Sequence, residues 1–263
     1  MSGKFGITVL GSGSRGNAAV IHGPEGAMLV DAGFSARELE TRMENSGIDP
    51  AAIQGVLITH GHSDHIKGCR TFANRHHVAA YLTAPTLLEG NRTDSLPEKK
   101  TVIEPGSPFE LCGVMVEPFT LPHDAPDTIG YTFRSCSKKI GIATDLGHLN
   151  LLARQKLRGS SLLMLEANHE PALLKASSRP IQLKRRILSR HGHLSNEDAM
   201  AALEELLTEE SRWVVLAHLS SECNNCELLA GLAEKTLKNL KRTDILLKIA
   251  KQETPLETFW LAE

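Results

Sequence analysis

Residues 59–65 read Thr59-His60-Gly61-His62-Ser63-Asp64-His65 and follow directly on the apolar run Gly55-Val56-Leu57-Ile58. Three imidazoles and a carboxylate packed this closely at the end of a predicted buried strand form the donor set of a first-row divalent ion such as Zn²⁺. A loop at a strand's end can fold such side chains inward around two ions. A helix, at this spacing, is not expected to. The chain must therefore present a buried strand's end to a cleft, and that requirement constrains the rest of the fold. A His-rich surface loop is the bland alternative, and the apolar strand before the motif argues against it.

Around the motif, short β-rich runs alternate with amphipathic stretches. Strands are expected at 5–10, 18–22, 27–31, 56–59, 78–82, 102–104, 114–121, 129–134, 139–144, 162–166, 213–218 and 245–250. Helices are expected at 35–46, 67–74, 181–189, 196–207 and 226–241. The first has Ser35 as N-cap, Glu38 in the capping-box position and Gly47 as its stop. With 263 residues, no repeat and no low-complexity linker, a single domain over 1–263 is expected. No apolar run approaches the roughly 20 residues that cross a bilayer, so no membrane partner is expected. The N-terminus reads as a strand and a Gly-Ser loop rather than a secretory signal. Five irregularly spaced cysteines make no disulfide framework, so the expected setting is cytoplasmic.

The 60–65 pattern resembles the metallo-β-lactamase superfamily, whose fold is an α/β four-layer αββα sandwich. The resemblance extends to His123 in Leu121-Pro122-His123-Asp124-Ala125, Asp145 in Ala143-Thr144-Asp145-Leu146-Gly147, and His218 in Ala217-His218-Leu219-Ser220. It implies two divalent ions (Zn²⁺ or Mn²⁺), with His60, His62 and His123 on one. Asp64, His65 and His218 take the other, and Asp145 lies between. His62 stands where redox di-iron members carry a Glu, which argues for hydrolysis. The segments Leu10-Gly11-Ser12-Gly13-Ser14-Arg15-Gly16-Asn17 and Gly192-His193-Leu194-Ser195-Asn196, with Asn224-Asn225, narrow the resemblance to the YycJ/WalJ group over nearly the whole chain. That group is regarded as bacterial 5′-to-3′ DNA exonucleases. Its nuclease branch implies an outer pair, here Glu166 and His193: the carboxylate orients the imidazole, and the imidazole protonates the leaving oxygen. Asp64 is expected to hold a metal and to accept the proton of the attacking water.

Residues 171–196 contain no acid and six cations, Lys175, Arg179, Lys184, Arg185, Arg186 and Arg190. A charge run is by itself a solvated face. Next to His193 it becomes a candidate phosphate track, with Lys184, Arg185, Arg186 and Arg190 as contacts. The Gly11–Asn17 loop is either a tight turn or a phosphate-binding nest of backbone N–H groups, with Asn17 as the expected polar contact. Asp31 is expected to support the metal loop by hydrogen bonds. Cys223 and Cys226 form a lone CxxC, and His76, His77, His148, His169 and His191 have no spacing that compels a role. The net charge is −2 and aromatics make up only 4%, so neither a global basic field nor a stacking platform marks nucleic-acid binding. Only 72 residues separate Asp145 from His218 and 21 separate His123 from Asp145, which leaves no room for a large inserted domain or a long arm. The reading is a dinuclear-metal phosphodiesterase acting on nucleic acid, DNA by resemblance. The alternatives are a small-molecule hydrolase (thioesterase or lactonase) and a metal-binding scaffold without turnover. Oligomeric state is open.

Overall fold

Along β11 (Leu162–Glu166), side chains alternate between two different apolar environments, and β1 (Phe5–Gly11) sends Phe5, Ile7 and Val9 to one of them. Ile7, Val9, Leu162 and Met164 face a core shared by two sheets, whereas Leu163 and Leu165 face helices outside. That period-two burial on both faces is the mark of a sheet covered on both sides. The computed structural model describes residues 4–261.

The first sheet runs β14 (Phe259–Leu261), β1, β2 (Ala18–Gly23), β3 (Gly26–Val30), β4 (Ile53–Leu57), β5 (Ala79–Leu82), β6 (Lys100–Val102). The second runs β13 (Leu246–Ile249), β12 (Trp213–Ala217), β11, β10 (Lys138–Ala143), β9 (Ile129–Ser135), β8 (Val114–Thr120), β7 (Phe109–Leu111). Each sheet is antiparallel at one side and becomes parallel at β3–β4 and β10–β11 respectively. The parallel steps need crossover helices, which cover the outer faces.

On the first sheet lie α1 (Ala36–Asn45) and α3 (Cys69–Arg75), which bury Leu39, Met43 and Phe72 against Val20, Leu29 and Val56. On the second lie α5 (Leu151–Leu157), α8 (Asn196–Leu206) and α9 (Cys226–Asn239), with Leu157, Leu203, Leu229 and Leu237 against Leu163, Leu165, Val214 and Leu216. The layers are helix, sheet, sheet, helix. The remaining helices are α2 (Ser63–Ile66), α4 (Ala84–Arg92), α6 (Pro171–Ala176) and α7 (Ile181–Ile187). No described helix is long and apolar enough to cross a membrane, and the five cysteines are free.

Several local expectations change. Ser35 caps α1 by accepting from Glu38 N, but the Glu38 carboxylate accepts from Arg42 Nε at 2.7 Å, so only half of the capping box forms. The structure adds α2, α4, α5, α6, β7, β14 and a 3-10 turn at Pro50–Ala52 to the elements read from the sequence.

Candidate metal centre

Six strand ends converge on one edge of the sandwich. Asp31 follows β3, the 60–65 motif follows β4, His123 follows β8, Asp145 follows β10, Glu166 ends β11 and His218 follows β12. The motif is not all loop, which corrects the expectation. His60 and His62 precede α2, whereas Asp64 and His65 lie within that single helical turn. The His62 carbonyl starts the turn by accepting from His65 N at 2.9 Å.

All seven residues named as metal ligands come together. His60, His62 and His123 offer donor atoms within 4.8 Å of one another, and so do Asp64, His65 and His218. Asp145 groups with His60 and His65, and also with His218, Glu166 and His193, so it sits between the two trios.

The imidazoles are oriented from behind. Nδ1 of His65 donates to Asp31 Oδ2 at 2.7 Å, Nδ1 of His123 to the Gly192 carbonyl at 2.9 Å, and Nδ1 of His218 to Glu166 Oε1 at 2.9 Å. Nδ1 of His60 lies 3.0 Å from Thr59 Oγ1, which itself donates to Asp31. With Nδ1 carrying the proton, each Nε2 keeps its lone pair for an ion. Nε2 of His60, His123 and His218 is buried and makes no hydrogen bond, a costly state that a metal ion resolves. Burial lowers the His60 and His62 pKa values and favours their neutral, ligating form, whereas the carboxylates around His65 and His218 outweigh burial and raise theirs, so an ion at those two rings would displace a proton. The donor set thus fits divalent transition ions.

Glu166 is fully buried. Oε1 accepts from His218 Nδ1 and from His193 Nδ1, the latter at 2.8 Å. Oε2 accepts from Leu146 N at 2.9 Å and Leu194 N at 3.2 Å. Burial alone would raise its pKa, but the charge and hydrogen bond of His193, with the bond from His218, bring it down to about 2. Burial alone would lower the His193 pKa, and Glu166 reverses this, so that it rises above its ordinary value. Glu166 therefore serves two imidazoles, one within the trios and one outside. The sequence assigns it to His193 only.

Asn17 is turned into the protein, which argues against the expected contact with substrate. It is buried, its Oδ1 accepts from Ser12 Oγ and Gly13 N, and its Nδ2 lies 3.4 Å from Asp64 Oδ2. The loop forms no open nest either. Ser12, Gly13, Arg15, Gly16 and Asn17 N–H groups all bond within the protein, to Lys251, Asn17, Gln252, Gly13 and Asp64 in turn.

The basic segment divides. Lys184 Nζ donates to the Lys175 carbonyl at 2.7 Å and to Ser177 O, capping α6, which ties two of its three N–H groups to the fold. Arg179 pairs with Glu222. Arg185 is exposed, Arg186 reaches Asp124, and Arg190 Nη2 lies 3.3 Å from His148 Nε2. The turn after α7 packs against the Asp145 loop at Gly147 and closes tightly on itself at Gly192. A Cβ at Gly147 would lie 2.3 Å from the Arg190 carbonyl oxygen, and one at Gly192 would lie 2.1 Å from that of Ile187.

Thr59, Ser12, Asn168 and Asp124 are residues the sequence reading left without roles. Ser12 Oγ accepts from His218 N and Asn168 Nδ2 donates to His218 O, which hold His218 in a left-handed conformation at φ 56°. Asp124 stands beside His123 in the motif, and that adjacency is its signal in the sequence. Of the other histidines, His148 donates from Nδ1 to the Arg190 carbonyl, His76 pairs with Glu40, and His169 is buried with both ring nitrogens unpartnered.

Residues 27–218 match the family described as Beta-lactamase superfamily domain. Exodeoxyribonuclease YycJ of Bacillus anthracis is 33% identical over 224 residues, covering 84% of this chain and 85% of that protein. Exodeoxyribonuclease WalJ of Streptococcus pneumoniae serotype 2 (strain D39 / NCTC 7466) is 31% identical over 228 residues, 85% of both. Among solved structures, the metallo-β-lactamase fold protein YhfI from Bacillus subtilis superposes with a TM-score of 0.73 at 14% identity, covering 96% of this chain and 99% of that one. A diphosphatase from the PhnP family superposes at 0.68 with 18% identity and 99% of both chains covered. The structural likenesses speak for the fold alone. With a family match across most of its length and relatives above 30% identity, the chain belongs to the β-lactamase superfamily, within the family of the exodeoxyribonucleases YycJ and WalJ, and is a metal-dependent hydrolase.

Proposed function

We propose that the protein is a two-metal phosphodiesterase that removes nucleotides from DNA in the 5′-to-3′ direction. The observation that carries this reading is Glu166, which joins a metal-trio residue, His218, to an imidazole outside the trios, His193, at 2.9 and 2.8 Å. It holds His193 beside the ligand cluster and raises its pKa, which supports a role as proton donor. A departing alkoxide needs such a donor, whereas the thiolate of a thioester does not. The names of the two exodeoxyribonuclease relatives support a DNA substrate, and the polarity follows the family resemblance in the sequence.

Divalent ions held by the two trios and Asp145 would supply Lewis acidity, lowering the pKa of a water to roughly 7 and offsetting charge on the phosphoryl group. Asp64, whose side chain is 21% exposed, accepts the proton of the attacking water. His193 donates from Nε2 to the leaving oxygen, and Glu166 stabilises the imidazolium before transfer. Arg185, Arg186 and Arg190 hold phosphates of the polymer, while Lys184 and Asn17 brace the fold.

Digestion of 5′- and 3′-labelled DNA and RNA with added Mn²⁺ or Zn²⁺, with a chelator control, tests the reading. Mononucleotide release from the 5′ end of DNA is the expected result. Release from the 3′ end overturns the polarity. Hydrolysis of a thioester or lactone with no cleavage of either polymer overturns the nuclease reading in favour of a small-molecule hydrolase.

A further inference from the structure

Asp124 follows the ligand His123, and its Oδ1 lies 3.3 Å from His123 Nε2. Arg186 grips this carboxylate with two nitrogens, Nε on Oδ2 and Nη2 on Oδ1, the second at 3.1 Å. A two-point pairing fixes the plane of a guanidinium as well as its position. The arginine's backbone is fixed too. A Cβ on Gly192 would lie 2.3 Å from the Arg186 carbonyl oxygen, His193 N bonds the Ile187 carbonyl at 3.0 Å, and the Gly192 carbonyl holds His123. Arg186 and His193 therefore flank one tight turn, and His123 is hydrogen-bonded to it. Nη1 of Arg186 makes no hydrogen bond among the described residues, and the side chain is 54% exposed.

A cation that only attracts a polyanion gains nothing from a carboxylate at its side, because the pair's net charge is zero and its pull on distant phosphates is cancelled. The carboxylate is useful if direction matters. We propose that Asp124 is a positioning residue that aims the free Nη1 edge of Arg186 at a non-bridging oxygen of the phosphate being cleaved, on the His123 side of the ligand cluster. This rests on the phosphodiesterase reading. It makes Arg186 a selector for an anionic diester over a neutral ester, while Arg185 and Arg190 are left to the flanking phosphates.

The test compares Arg186→Ala, Arg186→Lys, Asp124→Asn and the Asp124→Asn/Arg186→Ala double variant with the parent. Readouts are metal content, kcat and KM on an oligonucleotide, and salt-dependent oligonucleotide affinity of the metal-free proteins. Arg186→Ala is expected to lower kcat/KM about 10–100-fold and to flatten the slope of log affinity against log salt by about 0.7–0.9. Asp124→Asn leaves the cation in place but unaimed, so affinity and slope persist or increase while kcat falls about tenfold with full metal content. Arg186→Lys, which keeps charge without the fork, behaves like Asp124→Asn. The double variant is no worse than Arg186→Ala, because Asp124 acts only through Arg186. Unchanged kcat in Asp124→Asn, additive losses in the double variant, or metal loss on changing Asp124 each overturn the inference. A parent that cleaves no phosphodiester with any metal instead removes the reading beneath it.

Discussion

Replacing Glu166 by glutamine tests how the site is held. Four donors converge on this carboxylate, namely Nδ1 of His193 and His218 on Oε1, and Leu146 N and Leu194 N on Oε2. An amide keeps one oxygen and puts an NH₂ where the other was. If the amide oxygen takes the Oε1 position, two buried backbone N–H groups face an NH₂ and lose their acceptor. At about 1–3 kcal/mol for each unpaired buried donor, the fold loses about 2–6 kcal/mol, a large part of the 5–15 kcal/mol typical of a domain. If the amide turns over, the histidines must accept at Nδ1, which moves the proton to Nε2 and removes the lone pair that His218 offers an ion. Metal affinity on the Asp64–His65–His218 side then drops about 10–100-fold. Glu166→Gln should therefore lose stability in urea, measured metal-free, or metal on elemental analysis, in addition to activity. Glu166→Gln is thus expected to be the broader lesion, with His193→Ala confined to proton donation. Stability within about 0.5 kcal/mol of the parent together with full metal content would refute the argument.

His60→Ala and Asp145→Ala should each abolish hydrolysis and lower metal content below the parent's, with the fold retained by circular dichroism; full activity with no metal in the parent would sink the metal reading. His193→Ala should reduce kcat by about 10²–10⁴ with metal content unchanged, and the loss should shrink when the leaving group is nitrophenolate; equal losses on both substrates would make His193 structural. Arg190→Ala and Arg185→Ala should each flatten the salt dependence of DNA affinity by about 0.7–0.9 per contact while leaving a small chromogenic diester's turnover unchanged; a parental slope in the double variant would return both to the solvated face. His22, far along β2 from the site and 2.8 Å from Thr8 Oγ1, has its pKa lowered by burial to about 4. It is neutral when folded, so its stabilising share is full above about pH 6.5 and is lost as pH falls towards 4, up to about 3 kcal/mol before allowance for the solvent that reaches the ring. His22→Gln should flatten stability in that window relative to the parent, and parallel curves would contradict the assignment.

The central strands were legible because their burial is written in composition. Residues 162–165 and 213–217 are continuous apolar runs, and both lie in strands covered on two faces. Short helices were harder. α5 has seven residues, hardly two turns of periodicity, although Asn150 caps it by accepting from Ala153 N at 2.8 Å. α6 is capped by Glu170, a less familiar cap, and carries a Pro in its first turn that reads equally well as a loop. β14 cannot be seen locally at all, because its three residues become a strand only by pairing Phe259 with Ile7 across the length of the chain. In the metal motif the His62 carbonyl closes a helical turn that the sequence reading excluded, since four residues are too few to show a helical period.

Metal-type side chains at strand ends were legible because few residue types can do that chemistry. The supporting contacts were not, since they depend on register and backbone angles. β11 pairs with β12 in parallel so that Glu166 stands opposite Ala217. His218 is then one residue beyond, and its ring can share a carboxylate that the chain order assigns to His193 alone. No spacing in the sequence encodes that register. Asp31, Asp145 and His218 take φ values of 58°, 61° and 56°, a conformation that costs a non-glycine residue about 1–3 kcal/mol. All three stand immediately beyond a strand or one residue past it, where a left-handed turn breaks the strand's alternation and frees the side chain from the two sheet faces. The hydrogen bonds that His218 N donates to Ser12 Oγ, that Asn168 Nδ2 donates to His218 O, and that Thr59 N donates to Asp31 offset part of that cost. The ordinary pleat would send these side chains into the apolar core or onto the helices, so the strained turns are what bring a carboxylate and an imidazole from separate strands into one cluster.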